Sequence, residues 1–348
     1  MRDLKYLLAY IMPLSGLAAL YFGGIWSFAT LIIAFGILPI FEFALPRSVV
    51  NHSPEAEDFR SKIAFFDLLL YSNLPILFAL ILGYFYVLST QTLATYELVG
   101  MTLSIGVLCG TMGINVAHEL GHRVNKFEQW IAQALLLPEM YMHFFIEHNR
   151  GHHKNVATDV DPASSRYGEV IYAFFARSIV YSYLDAWRLE NQRLRKIGKS
   201  VFSLENQMLR FQFIQLGYLL TVGLVFGWTV IPFALAIALI GVLNLEAVNY
   251  IEHYGLRREL LPSGRYEKVS PHHSWNSNHE MGRIFLYELT RHSDHHFKAT
   301  RKFQILRHFD ESPQLPLGYP GSMLLALVPP LWFAVMNKEV KKYNAQLV

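Results

Sequence analysis

AFFDLLLYSNLPILFALILGYFYVLS, residues 64–89, runs well past twenty residues with Asp67 as its one charged side chain. A helix that crosses the hydrocarbon core of a bilayer needs about 20 mostly apolar residues. A soluble helix of that length carries a charged face opposite its apolar stripe. This stretch has none, so it reads as a membrane span and not as the core helix of a soluble all-helical protein. The whole composition agrees: of 348 residues, 53% are hydrophobic and 16% charged, against about 25% charged in a typical soluble domain.

Working outward, five more segments have the same character: 6–22, 25–44, 97–117, 211–228 and 230–250. The expected fold is therefore an all-α integral membrane protein, a single membrane domain over 1–348 with six transmembrane helices in three hairpins. The connections at Gly23-Gly24, Ser89–Tyr96 and Gly227-Trp228 are short and hold no Lys or Arg. None occurs between Lys5 and Arg47, between Lys62 and Arg123, or between Arg210 and Arg257. Cytoplasmic loops collect Lys and Arg, which places both termini and the long segments 118–210 and 251–348 on the cytoplasmic side. Met1–Lys5 lead into an apolar stretch with no clear cleavage site, which reads as a retained first helix. The apolar stretches 127–146 and 322–336 are short or broken by proline and suit re-entrant or interfacial helices.

The formal net charge of +3 is too small to suggest nucleic acid, and the basic residues follow topology instead. Cys109 is the one cysteine, which excludes a disulfide framework, a cysteine-based zinc site and a fused iron–sulfur or rubredoxin-type domain.

Fifteen histidines are present, and they cluster. His118 and His122 close the fourth span, four residues apart and so on one helix face. His148, His152 and His153 follow the first short apolar stretch, His253 ends the sixth span, and His292, His295 and His296 form the last group. Nine imidazoles on one side of a membrane exceed what one metal coordinates and suit two metals with open positions. Imidazole binds Zn, Cu, Fe and Ni alike, so ligand type alone does not choose among them. Glu119, Glu147, Glu252 and Asp294 stand beside these histidines and are candidates to fix ring tautomers through the far nitrogens. No catalytic side chain beyond the metal ligands is singled out. His52, His143, His272, His273, His279 and His308 read as surface, structural or supporting groups.

His118-Glu-Leu-Gly-His122 also matches the H-E-x-x-H pattern of zinc proteases. An intramembrane zinc protease would leave seven clustered histidines without a purpose. A metal transporter would place its ligands near mid-membrane along a path through the bilayer, whereas these gather at one side.

The series H-x-x-x-H, H-x-x-x-H-H and H-x-x-H-H resembles the fatty-acid desaturase superfamily. The finer resemblance is to the membrane-bound alkane monooxygenases, or alkane hydroxylases. It is carried by HELGHR (118–123), EHNRGHH (147–153), NYIEHYGL (249–256) and LTRHSDHH (289–296), with DPASSR (161–166), PHHSWNSNH (271–279) and GYPG (318–321). The Asn-Tyr-x-Glu-His-Tyr-Gly element separates this group, with the xylene-type monooxygenases, from ordinary desaturases. Arg123 departs from the Lys usual there but keeps a basic group.

The resemblance implies two iron ions held by the nine histidines, O2 as co-substrate, and hydroxylation of the terminal carbon of an alkane or similar apolar alkyl chain. It also implies electrons from a separate rubredoxin-type carrier with an NAD(P)H-dependent reductase, and a bacterial inner membrane with the active site on the cytoplasmic face. A fatty-acid desaturase or hydroxylase and a xylene-type monooxygenase are the alternatives. In the resembling enzymes the second span lines the substrate channel, and a bulky side chain there limits chain length; Ala34 matches that position.

Overall fold

The computed structural model describes residues 2–346. Six helical stretches are long and apolar enough to cross a membrane: Asp3–Phe22, Gly24–Ala44, Ala64–Thr90, Thr95–Gly121, Gln207–Phe226 and Trp228–His253. They are the six expected from sequence, and the chain is a multi-pass membrane protein. The fourth and sixth run further than read from hydropathy, so His118 and His253 ride on the last turns of spanning helices. Among the described residues there is no β-strand, only isolated bridges such as Arg47 with His279 and Asn276 with Gln314.

The described residues form two compact units. One contains the chain up to Ile37 with Ala64–Glu147 and Tyr183–Leu245; the other contains Leu38–Ile63, His148–Ser182 and the chain from Glu246 onward.

In the first unit the fourth span is the most enclosed, 72% buried against 22–39% for the others. Its glycines explain why. Without a hydrophobic drive between helices in lipid, small residues let backbones approach. A Cβ on Gly100 would collide with Ser27 and Phe28 of the second span, and one on Gly106 with Ile240 of the sixth. Hydroxyls add interhelical bonds: Ser15 to Thr30 at 2.8 Å, Tyr84 to Thr102 at 2.6 Å and Ser104 to the Ser27 carbonyl at 2.7 Å. At the loop end, the Glu97 carboxylate accepts the N–H groups of Gly24 (2.6 Å) and Ala94 (3.0 Å), tying the first hairpin to the start of the fourth span. Exposed Tyr21, Trp26, Tyr86, Tyr96 and Trp228 mark all three short connections, the amphipathic rings expected at a membrane–water interface.

Among the described residues, three short π-helical segments interrupt the α-helices: Ile32–Ile37, Cys109–Ile114 and His148–His152. Such bulges re-aim the side chains that follow and recur at functional sites. One contains Ala34, one leads into His118, and one carries His148 and His152.

The second unit is built round an aromatic core. Tyr250 and Tyr254 pack on the fully buried Trp332 with ring centroids 5.4 and 5.3 Å away. The Tyr250 hydroxyl donates to the Glu169 carbonyl at 2.6 Å and that of Tyr254 to the Asn337 side chain at 2.7 Å. Trp275 donates its backbone N–H to the Glu252 carbonyl (2.8 Å) and its indole N–H to the Tyr254 carbonyl (2.9 Å). His253 is thereby held on both sides. The short apolar stretches fold as ordinary elements: Lys126–Leu135 in the first unit, and Tyr319–Ala326 followed by Pro329–Gln346 in the second, with Trp332 and Met336 in its core.

Candidate metal centre

The helix His292–Phe297 shows how local sequence aims the rings. Positions 292, 295 and 296 share one face. The other side is clamped: the Asp294 carboxylate accepts from Arg301 at 2.6 Å and from the Arg307 N–H at 2.7 Å. Ser293 donates its N–H to Asn276 at 2.8 Å. Just before the helix, the buried Arg291 guanidinium donates to the carbonyls of Leu306 (2.6 Å) and Val50 (3.0 Å). With that side fixed, the three imidazoles point the opposite way.

His152, His253, His292 and His296, all buried, bring one ring nitrogen each within 4.8 Å of one another. The Nε2 atoms face each other at 3.2 Å for His152 and His296, 3.3 Å for His253 and His292, and 2.9 Å for His292 and His296. The His152 Nδ1 is 2.8 Å from the Asp161 carboxylate. That contact fixes the ring proton on Nδ1 and leaves Nε2 as a lone pair. Burial, and then the neighbouring histidines, push His296 well below the usual range, so it is neutral at pH 7. Burial alone would raise Asp161, but His152 and the Ser164 hydroxyl hold it below its usual value. Buried imidazoles converging through their ring nitrogens are a donor set for a cation, and the arrangement fits an imidazole-ligated transition metal. Glu252 aims an oxygen into the group, 3.1 Å from the His292 Nε2, while its other oxygen accepts from the Tyr319 hydroxyl at 2.6 Å.

A second set assembles in the same unit. The His153 Nε2 is 3.0 Å from that of His148 and 3.1 Å from that of His295. In the first unit His118 and His122 lie side by side at the end of the fourth span, ring centroids 5.3 Å apart.

Among the four carboxylates expected near these rings, Glu252 lies 3.1 Å from a ring nitrogen. Asp294 takes Arg301 and the Arg307 N–H, and Glu119 takes Arg123 through two bonds of 3.1 and 2.7 Å. Arg123 also lies 3.2 Å from Asp67 and 3.5 Å from Glu128. A forked guanidinium can serve several carboxylates where an ammonium cannot do so in the same geometry. Glu147 is buried where the first unit ends, and Ala34 is buried within its π segment. The other histidines stand apart from the clusters: His279 meets Arg47 and Ser277, His273 meets Glu267, His272 meets Tyr343, and His308 meets Asp310. His143 stacks edge-on between Tyr141 and Tyr183, and burial lowers it to about 3. His52 is exposed.

Sequence reasoning missed Asp161, Tyr319 and Trp275 as individual supports. Each sits inside a stretch that had been noticed (DPASSR, GYPG and PHHSWNSNH), but its partner lies far away in sequence.

Residues 94–321 match the family model described as fatty acid desaturase. The chain is 39% identical over 343 residues to alkane 1-monooxygenase 1 of Alcanivorax borkumensis, covering 97% of this chain and 85% of that one. It is 40% identical over 317 residues to the alkane 1-monooxygenase of Pseudomonas putida, covering 91% and 79%. To the xylene/toluene monooxygenase hydroxylase component XylM of Pseudomonas putida it is 29% identical over 344 residues, covering 97% and 89%. The family model begins before His118 and ends beyond His296, and these relatives span more than nine-tenths of the chain: the protein belongs to the alkane 1-monooxygenase family of fatty acid desaturase-like membrane enzymes.

Proposed function

We propose that this protein is a di-iron monooxygenase that hydroxylates the terminal carbon of an alkane or similar alkyl chain, using O2 and electrons from a separate rubredoxin-type carrier. The observation that carries the reading is the convergence of the buried Nε2 atoms of His152, His253, His292 and His296. They would hold one iron. His148, His153 and His295, completed by His118 and His122, would hold the other, the chain acting as one membrane domain. The two irons supply the activation of O2, a step no side chain can perform.

The chain's own residues do the rest. Asp161 fixes the His152 tautomer, and the clamps on Asp294 and Arg291 aim His292, His295 and His296. Trp275 and the Tyr250–Tyr254–Trp332 core hold His253 in place. Burial of these groups keeps water from the reacting carbon. The carrier, with its NAD(P)H-dependent reductase, docks on the cytoplasmic face of an inner-membrane protein, and the basic run Lys298–Arg307 directly follows the helix of His295 and His296. XylM supports a second substrate class, methyl groups on aromatic rings, at lower identity.

Metal content tests the centre. Protein purified anaerobically should contain about two irons per chain; one zinc and no iron would overturn the reading in favour of a zinc protease.

A further inference from the structure

The loop that leads into the fifth span, Gln207–Phe226, brings free cations and exposed apolar side chains together within the first unit. Between Glu190 and Glu205 the sequence holds Arg193, Arg195, Lys196 and Lys199 and no acid. Two of these cations are engaged inside the fold: Arg193 donates to both oxygens of Glu190 at 2.8 and 2.6 Å, and Lys199 pairs with Glu205 at 2.9 Å. Arg195 and Lys196 are exposed and form no ion pair among the described residues, and the same holds for Arg210 in the first turn of the span. Beside them Ile197, Phe202 and Leu204 are 53%, 89% and 74% exposed. Clustered exposure of this kind marks a surface that something else covers.

The loop is tied down at both ends. Gly198, at φ +68°, ends the preceding helix and lets the Lys199 N–H reach the Leu194 carbonyl at 2.9 Å. Asn206 caps the span by accepting from the N–H groups of Met208 and Leu209, and its amide donates to the Val201 carbonyl at 2.8 Å. Glu190, held by Arg193, also accepts the Gln207 N–H at 2.9 Å. Phe202 and Leu204 are thereby fixed five and three residues before the span begins. Arg210 supplies the direction. It shares a helix face with Phe213 and Ile214, three and four residues on. Both are exposed on a span and so turned to lipid. A guanidinium one turn from these side chains runs its stem along the apolar surface and sets its head among the lipid headgroups.

We propose that segment 195–210 is a binding surface for anionic phospholipid: Arg195, Lys196 and Arg210 meet the headgroup phosphates, and Ile197, Phe202 and Leu204 enter the acyl boundary of the same leaflet. Cations interleaved with bulky apolar side chains are the composition of an interfacial anchor. A soluble acidic protein would satisfy the cations but leave the apolar side chains beside the bilayer uncovered. A zwitterionic lipid would cover the apolar side chains and gain less from the cations. The surface rests on the spans alone and holds whatever the reaction is.

The test reads lipid contact at the loop itself. Cys109 is buried, so Ser200→Cys, exposed in this loop, can carry a single nitrobenzoxadiazole fluorophore. The full chain is reconstituted in phosphatidylcholine vesicles containing doxyl-labelled phosphatidylglycerol or, in parallel, doxyl-labelled phosphatidylcholine. Each cation near an anionic leaflet contributes about fivefold, so half-quenching should need roughly a tenth as much phosphatidylglycerol as phosphatidylcholine. Arg195→Gln, Lys196→Gln and Arg210→Gln together should erase that preference, while Arg195→Lys with Arg210→Lys should keep it. Salt at about 1 M, where the screening length is about 3 Å, should erase it without those substitutions, which keeps the test decisive if the triple variant fails to insert. Phe202→Ser with Leu204→Ser should weaken quenching by both lipids. Equal quenching by the two lipids before substitution, or a preference that survives both the triple variant and salt, would overturn the proposal. Loss of the preference to millimolar inorganic phosphate, against chloride of equal ionic strength, would overturn it in favour of a free-anion site. Absence of quenching by either lipid, with rubredoxin binding weakened in the triple variant, would make the surface a protein-docking face instead.

Discussion

His253 is the residue on which the reading turns. The other eight clustered histidines follow spacings shared by desaturases, whereas His253 sits in the Asn-Tyr-x-Glu-His-Tyr-Gly element at the end of the sixth span. Its Nε2 faces that of His292 at 3.3 Å. His253→Ala removes one donor from a site whose surrounding fold is held by Trp275, Tyr250 and Tyr254. The variant should insert and purify normally but lose iron, hydroxylation or both. His279→Ala, whose ring meets Ser277 and Arg47, should lose less, within the ~10–100-fold range of supporting residues. Iron content and product formation measured side by side decide it; near-normal hydroxylation by His253→Ala would reduce this histidine to a structural role. Eight of the nine clustered histidines could be singled out because their spacing is local, i, i+3 and i+4 positions needing only a helix, whereas the lone His253 could be singled out only by the sequence element around it. Asp161 was not legible as the partner of His152, because only the folded chain brings its carboxylate to Nδ1.

At the scale of elements, the spans were readable from run length alone, and their hairpin pairing from the placement of Lys and Arg. The π-helical segments were not, because a single extra residue in a turn leaves no mark on hydropathy. Nor did the apolar pattern of 322–336 reveal that Trp332 would anchor the aromatic core beside His253; a proline pair at the helix start masks its periodicity. The π segment Ile32–Ile37 turns Ala34 inward, leaving Ile32 and Ile37 exposed. If the second span borders the substrate path, Ala34→Trp should shift the preferred substrate to shorter chains, read as the product distribution from a mixture of n-alkanes. An unchanged distribution, in a variant as heat-stable as wild type, would mean that Ala34 serves packing alone.

For the whole molecule, the proposed orientation rests on three short connections free of Lys and Arg. Cys109 is fully buried, so the native thiol is silent to a membrane-impermeant maleimide and single engineered cysteines report topology. Thr92→Cys, exposed in the second short connection, should be labelled in intact cells once the outer barrier is opened. Ser200→Cys, exposed in the long basic segment, should be labelled only after the inner membrane is broken. The reverse pattern would place the histidines on the opposite side, away from any cytoplasmic electron carrier.

The central claim is hydroxylation of an alkyl chain with oxygen from O2. Cells expressing the protein with a rubredoxin and its reductase, given a mixture of n-alkanes under 18O2, provide the direct measurement. Mass spectrometry should find terminal alcohols bearing one 18O atom, absent when His292 or His296 is replaced by alanine. Products carrying double bonds without added oxygen, or alcohols labelled from water, would contradict the account.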